Sequence, residues 1–97
     1  MAQTVSECLT AATDSVTVIN DINTKGKEST HIAASDPSAG VTQADANARV
    51  KANVDHLTFI LAYDGTGETP NVKDASDNKS SYTTAITTGN TYISNNS

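Results

Sequence analysis

The sequence predicts an all-α protein, a small domain of three helices over residues 5–22, 43–63 and 81–94 joined by two long loops. Three observations carry that prediction. Thr4-Val5-Ser6-Glu7 and Thr42-Gln43-Ala44-Asp45 each set a Thr three residues before an acid. In that arrangement two side chains satisfy N–H groups that a helix start leaves free. Behind each Thr, apolar residues recur at spacings of three and four, which puts them on one helix face. Four of the five Gly and both Pro fall in the two stretches between helices, where turn chemistry is needed.

In the first helix, Val5, Cys8, Leu9, Ala12, Val16 and Ile19 share a face, with Val18 and Ile22 along a flanking edge. Thr10, Thr13, Thr17 and the valines are β-branched and lower helix propensity. Tertiary contact must therefore supply what propensity lacks. Lys25-Gly26-Lys27 ends the helix. Residues 23–40 then form a connector dense in turn formers, Ser35-Asp36-Pro37-Ser38-Ala39-Gly40. His31-Ile32-Ala33-Ala34 in its middle is a short apolar patch able to dock.

The second helix carries Ala46, Val50, Val54, Leu57 and Leu61 in one stripe, with Ile60 beside it. Asp45 and Arg49 stand four apart in the orientation that favours an ion pair, and Asp64-Gly65 marks the end. Residues 65–79 show no periodicity and read as a loop. In the last segment Tyr82, Ala85, Ile86, Gly89 and Ile93 fall on one helical face. A β-hairpin around Gly89-Asn90, pairing residues 82–88 with 91–94, is the rival there, because Gly-Asn is a two-residue turn and Thr favours strand. The expected core joins Leu9, Ala12, Val16 and Ile19 to Val50, Val54, Leu57 and Leu61, closed by Ile86 and Ile93.

Composition limits what such a domain does. Leu, Ile, Val and Phe number 17 of 97 residues, under the roughly 20% at which a charged chain is usually disordered. Thr, Ser and Asn number 34. A single thin core leaves no room for a buried cofactor, and none is expected. Six Lys/Arg against eleven Asp/Glu give a net charge of −5, which disfavours nucleic acid and anionic membrane as partners. Cys8 is alone, so no intrachain disulfide forms. The first residues lack the basic start and apolar run of a signal peptide, and no apolar run reaches membrane-spanning length. Synthesis in the cytoplasm is the expectation.

The residues that suggest chemistry are few. Asp55-His56 is the one adjacent acid–imidazole pair, but neighbours on a helix point about 100° apart and do not face each other. Cys8 on the apolar face beside Leu9 is a poor nucleophile, since burial raises a thiol pKa. Asp64, Glu68, Asp74, Asp77 and Asn78 lack the alternating spacing of a calcium loop. Gly65-Thr66-Gly67 has neither the strand before it nor the Gly-Lys-Ser/Thr after it that a phosphate loop needs. Asn78-Lys79-Ser80 and Asn95-Asn96-Ser97 match the glycosylation pattern without a secretory signal. No catalytic residue and no metal ligand are expected, so the chain reads as a non-enzyme. Amphipathic aromatics favour interfaces. Phe59 and Tyr63 lie off the inward stripe of the second helix, so His56, Phe59, Tyr63, Tyr82 and Tyr92 are the expected partner interface, in a patch left uncovered by the chain's own fold.

Arg49, Val50, Asn53, Val54, His56 and Leu57, followed by Tyr82, Ala85, Ile86, Gly89, Tyr92 and Ile93, resemble a pattern in small proteins encoded among the structural genes of tailed bacteriophages. There a helix of the form Arg-Val-x-x-Asn-Val-x-His-Leu leads through an Asp/Gly loop to Tyr-x-x-Ala-Ile-x-x-Gly-x-x-Tyr-Ile. The resemblance spans about residues 47–95, with a loop here longer and richer in Asp and Ser. It implies a small virion-associated protein and a helical last segment. The expected function is a structural subunit of a phage particle, on the capsid surface (decoration or cement type) or on the tail. Its expected partners are other virion proteins or further copies of itself. A small acidic helical adaptor or inhibitor that binds one host protein is the alternative.

Overall fold

The computed structural model describes residues 3–97. It is all-α, and the described residues contain no strand. Helices α1 (Val5–Lys25), α2 (Gln43–Leu61) and α3 (Ser80–Asn95) pack pairwise, and one 3-10 turn, Gly26–Glu28, follows α1. Tyr82 donates its hydroxyl to the Leu9 carbonyl at 3.0 Å, which sets the start of α3 beside the start of α1. Gln43 donates to the Tyr92 hydroxyl at 2.9 Å, so the start of α2 meets the end of α3. The bundle therefore runs up, down, up, with α1 and α3 parallel, in a body 45 × 25 × 17 Å.

Both expected capping boxes form. Thr4 Oγ1 accepts from Glu7 N at 3.1 Å and Glu7 Oε1 accepts from Thr4 N at 2.9 Å. Thr42 and Asp45 repeat the exchange at 3.2 and 3.0 Å. α1 continues three residues past the expected end. The Asp21–Lys25 pair at 3.1 Å supports the extra turn, a lysine at the C-terminus complements the helix dipole, and Gly26 breaks the run with φ 60°. α2 stops two residues short of the expected end. Ala62 and Tyr63 donate to the Phe59 and Ile60 carbonyls, three residues back, which tightens the last turn out of α-geometry.

The last segment is a helix, not a hairpin. Two of its five threonines are satisfied within the helix: Thr83 Oγ1 donates to the Ser80 carbonyl at 3.1 Å and Thr87 Oγ1 to the Thr83 carbonyl at 3.3 Å. Thr10, Thr13 and Thr17 do the same in α1. A threonine hydroxyl bonded to its own helix no longer draws the backbone toward another conformation. No side chain of the N-cap residue Lys79 caps α3. Asn78 Oδ1 instead accepts from Ser80 N at 3.0 Å.

The core differs from the expected list in three places. Val18 is buried and Val16 half-buried on α1. Ile60 is buried and Leu61 half-buried on α2. On α3 the inward residues are Ala85, Gly89 and Tyr92, with Ile86 and Ile93 half-buried at the border. One cause serves all three. Each helix touches two others, so its buried arc is wider than one stripe and its centre is set by the bisector between partners. On α3 that centre falls on small residues because the helix approaches closely. A Cβ built on Gly89 would lie 2.5 Å from Val54 Cγ2 and 3.1 Å from Val50 Cγ1.

The connectors are anchored. Ser29, 4% exposed, donates to Asp21 Oδ2 at 2.6 Å and accepts from His31 N at 3.2 Å. Ile32 enters the core as the sequence expected, and Arg49 Nε holds the His31 carbonyl at 3.1 Å. The Asp45–Arg49 pair is not made: the Asp45 carboxylate is taken by the N–H groups of Thr42 and Ser35. In the second loop Lys73 N donates to the Tyr63 carbonyl at 2.8 Å, closing the turns between them. Val72, completely buried, plugs the loop into the core.

Candidate functional site

The five aromatic and imidazole residues singled out by sequence do not form one patch. Tyr92 lies on the inner face of α3, 7% exposed, with its hydroxyl bonded to Gln43. It is a core residue at the opposite end of the bundle, and the expectation of an uncovered Tyr92 is corrected. The helix face that carries Ala85 and Gly89 also carries Tyr92, so the ring follows those small residues inward. Tyr82 is half-buried. Its ring seals the α1–α3 seam, and its hydroxyl reaches Leu9 O at 3.0 Å and Thr13 Oγ1 at 3.3 Å.

The other three stand at the end of α2, His56 and Phe59 on its last turns and Tyr63 two residues past it. Phe59 is 63% exposed, the one large apolar side chain left open among the described residues. Tyr63, half-buried, meets it edge to face, with ring centroids 4.9 Å apart and planes at 85°. His56 is exposed on the preceding turn, where its Nδ1 lies 2.8 Å from the hydroxyl of the buried Ser15. That bond fixes the imidazole against α1. Asp55 points elsewhere and pairs with Lys51 at 3.0 Å, so acid and imidazole are not partners.

Phe59 and Tyr63 form one side of an open cleft of about 340 Å³, whose other walls are Gln3, Glu68, Thr69 and Pro70. The 66–70 segment is brought there by the closed loop. Gly65 (φ 81°) turns the chain where Asn71 approaches so closely that a Cβ would stand 2.8 Å from Asn71 Cβ. Asp64 ties the turn by accepting from the Thr66 hydroxyl at 2.6 Å and the Thr66 N–H at 3.1 Å, and these bonds hold its carboxyl below the usual range. The part played by Glu68, Thr69 and Pro70 was not readable from sequence, because a loop without periodicity gives no facing direction. The Asp64–Gly65 turn signal was the only local hint.

Chemistry elsewhere is sparse. Burial pushes the Cys8 thiol up, with the Glu7 carboxylate adding to the shift. Its nearest polar neighbour is Gln3 Oε1 at 3.5 Å. Asp21 gathers Ser29, Lys25 and, at 4.0 Å, His31 Nε2. Ser29 bonds the carboxylate rather than the imidazole, so the group anchors the connector and does not activate a nucleophile. No group of three His, Cys, Asp or Glu suited to a metal occurs among the described residues. No helix among them is long and apolar enough to cross a membrane. Comparison with protein-family models, with curated proteins and with solved structures finds no match to this chain.

Proposed function

We propose that the chain is a non-enzymatic structural subunit of a bacteriophage particle, bound to the capsid surface as a decoration or cement protein, or to the tail. It is made in the host cytoplasm and carried in the virion. The observation that carries this reading is Phe59, 63% exposed beside Tyr63, where every other large apolar side chain among the described residues is buried or half-buried. An open phenyl ring forgoes about 1.5–3 kcal/mol of burial, so a second surface is its natural cover. The resemblance of residues 47–95 to small phage structural proteins supports the same reading. The partners are other virion proteins, and a further copy of the chain in a homo-oligomer is the variant of that arrangement.

Quantitative mass spectrometry of purified particles tests it: a structural subunit is present in fixed stoichiometry to the major capsid or tail protein. Phe59→Ala lowers its occupancy on particles about ten- to a hundredfold while its melting temperature stays put. The net charge of −5 favours a second reading, a small acidic adaptor or inhibitor of a host protein. Absence from particles, together with stoichiometric recovery of one host protein on the chain, decides for that.

A further inference from the structure

The cleft at the end of α2 has a chemistry more specific than an apolar patch. Its two rings meet at 85° with centroids 4.9 Å apart, so they form walls near a right angle. An aromatic face carries negative charge density and attracts a cation placed over it. A third wall carries the Glu68 carboxylate. No hydrogen bond or ion pair engages Glu68 among the described residues. Four of the six cations of the chain are held elsewhere: Lys25 with Asp21, Lys51 with Asp55, Lys79 with the Lys73 carbonyl, Arg49 with the His31 carbonyl.

We infer that this cleft receives an arginine side chain from a neighbouring protein, with the guanidinium lying on the Phe59–Tyr63 pair and forking to Glu68. The inference rests on reading this face as a docking surface and names what docks there. Arginine fits better than lysine because a planar guanidinium stacks on rings and matches a carboxylate with two parallel N–H groups. The occupant belongs to a different protein rather than a second copy. Arg49 is the only arginine in this sequence, and its side chain pins the first connector to α2. A chain of net charge −5 also attracts a basic partner and repels itself.

Titration of the full chain with N-acetyl-arginine amide, followed through the ring resonances of Phe59 and Tyr63 by NMR, tests this directly. The uncharged isostere N-acetyl-citrulline amide is the control. Saturable shifts with the arginine compound and none with the citrulline compound are expected. Glu68→Gln and Phe59→Leu, both at exposed positions, each weaken binding by about two- to fivefold, with unchanged helical circular dichroism. Absence of saturable shifts, an equal response to citrulline, or full affinity in Glu68→Gln overturns the inference. So does self-association of the chain that Phe59→Leu abolishes. The particle reading stands or falls separately: stoichiometric presence in virions without arginine binding removes only this inference, and arginine binding by a chain absent from virions removes only that reading.

Discussion

Replacing Gly89 by alanine places two known effects in opposition, and the geometry decides between them. Alanine in a helix interior is favoured over glycine by about 1 kcal/mol. At residue 89 the added methyl would stand 2.5 Å from Val54 Cγ2, 3.1 Å from Val50 Cγ1 and 3.4 Å from Ile19 Cγ2. Ordinary carbon contacts lie at about 3.5–4.0 Å, so the closest approach is short by about 1 Å. Val54 is buried between α2 and α3, so the helices must part or the valine leave its rotamer. Overpacking of that kind costs about 1–3 kcal/mol. The net expectation is a loss of about 1 kcal/mol, a fall in melting temperature of about 4–8 °C for a domain of this size. Thermal unfolding followed by circular dichroism reads it. The decisive arm is the same change in a Val54→Ala background. There the closest methyl is gone, and Gly89→Ala should become neutral or stabilising by up to about 1 kcal/mol. If Gly89→Ala stabilises the parent chain, or destabilises both backgrounds equally, α3 does not approach α2 at this residue and the packing described above is wrong.

Other expectations follow from single contacts. Thr42→Ala removes half of the second capping box and should cost about 0.5–2 kcal/mol, read from the urea midpoint; an unchanged midpoint would show that the Thr42 hydroxyl contributes nothing. Asp21, Asp45 and Asp64 are held below the usual 3.8 by hydrogen bonds from Ser29, from the Thr42 backbone and from Thr66 respectively. A depressed folded-state pKa gives stability that is present above the unfolded pKa and lost as pH falls through the folded one. Denaturation midpoints should therefore hold steady at neutral pH and drop below about pH 4, and Asp45→Asn should blunt the drop. Cys8, 2% exposed with its thiol pKa raised by burial, should resist a thiol reagent such as dithiobis-nitrobenzoate in the folded chain and react on unfolding; rapid labelling of the native protein would contradict its placement.

The helices were legible because their signals are local. A Thr three residues before Glu7 or Asp45 specifies a start whatever surrounds it, and the spacing of Leu9, Ala12 and Ile19 or of Val50, Val54 and Leu57 specifies a face. Direction within the bundle is not local. Val18 outranks Val16, and Ile60 outranks Leu61, because each helix bisects two neighbours that the single stripe does not reveal. Tyr92 was misplaced for a related reason. Phenol groups favour surfaces on average, but this one sits on the side of α3 that Ala85 and Gly89 make close enough to pack, and Gln43 meets its hydroxyl. Ser29 and Val72 are isolated in polar stretches, and only chain closure buries them. Of the candidate site, Phe59 and Tyr63 were readable as residues off the stripe. Glu68 and Pro70 were not, since loop closure alone brings them opposite the rings.

An odd number of helices has a practical outcome for anyone attaching a label or cargo. With α1 and α3 parallel, Gln3 lies at the end that carries the aromatic cleft, while Asn96 lies at the other, where its carbonyl accepts from Asn47. The body is 45 Å in its longest dimension. A fluorophore, affinity handle or displayed peptide joined after Ser97 therefore departs far from Phe59 and leaves docking unhindered. The same moiety carried on residue 3 stands in the cleft with Tyr63 and Pro70 and competes with whatever binds there. Loss of attachment with the moiety on residue 3 and its retention with a carboxy-terminal one would map the orientation of the subunit on its support without any high-resolution image.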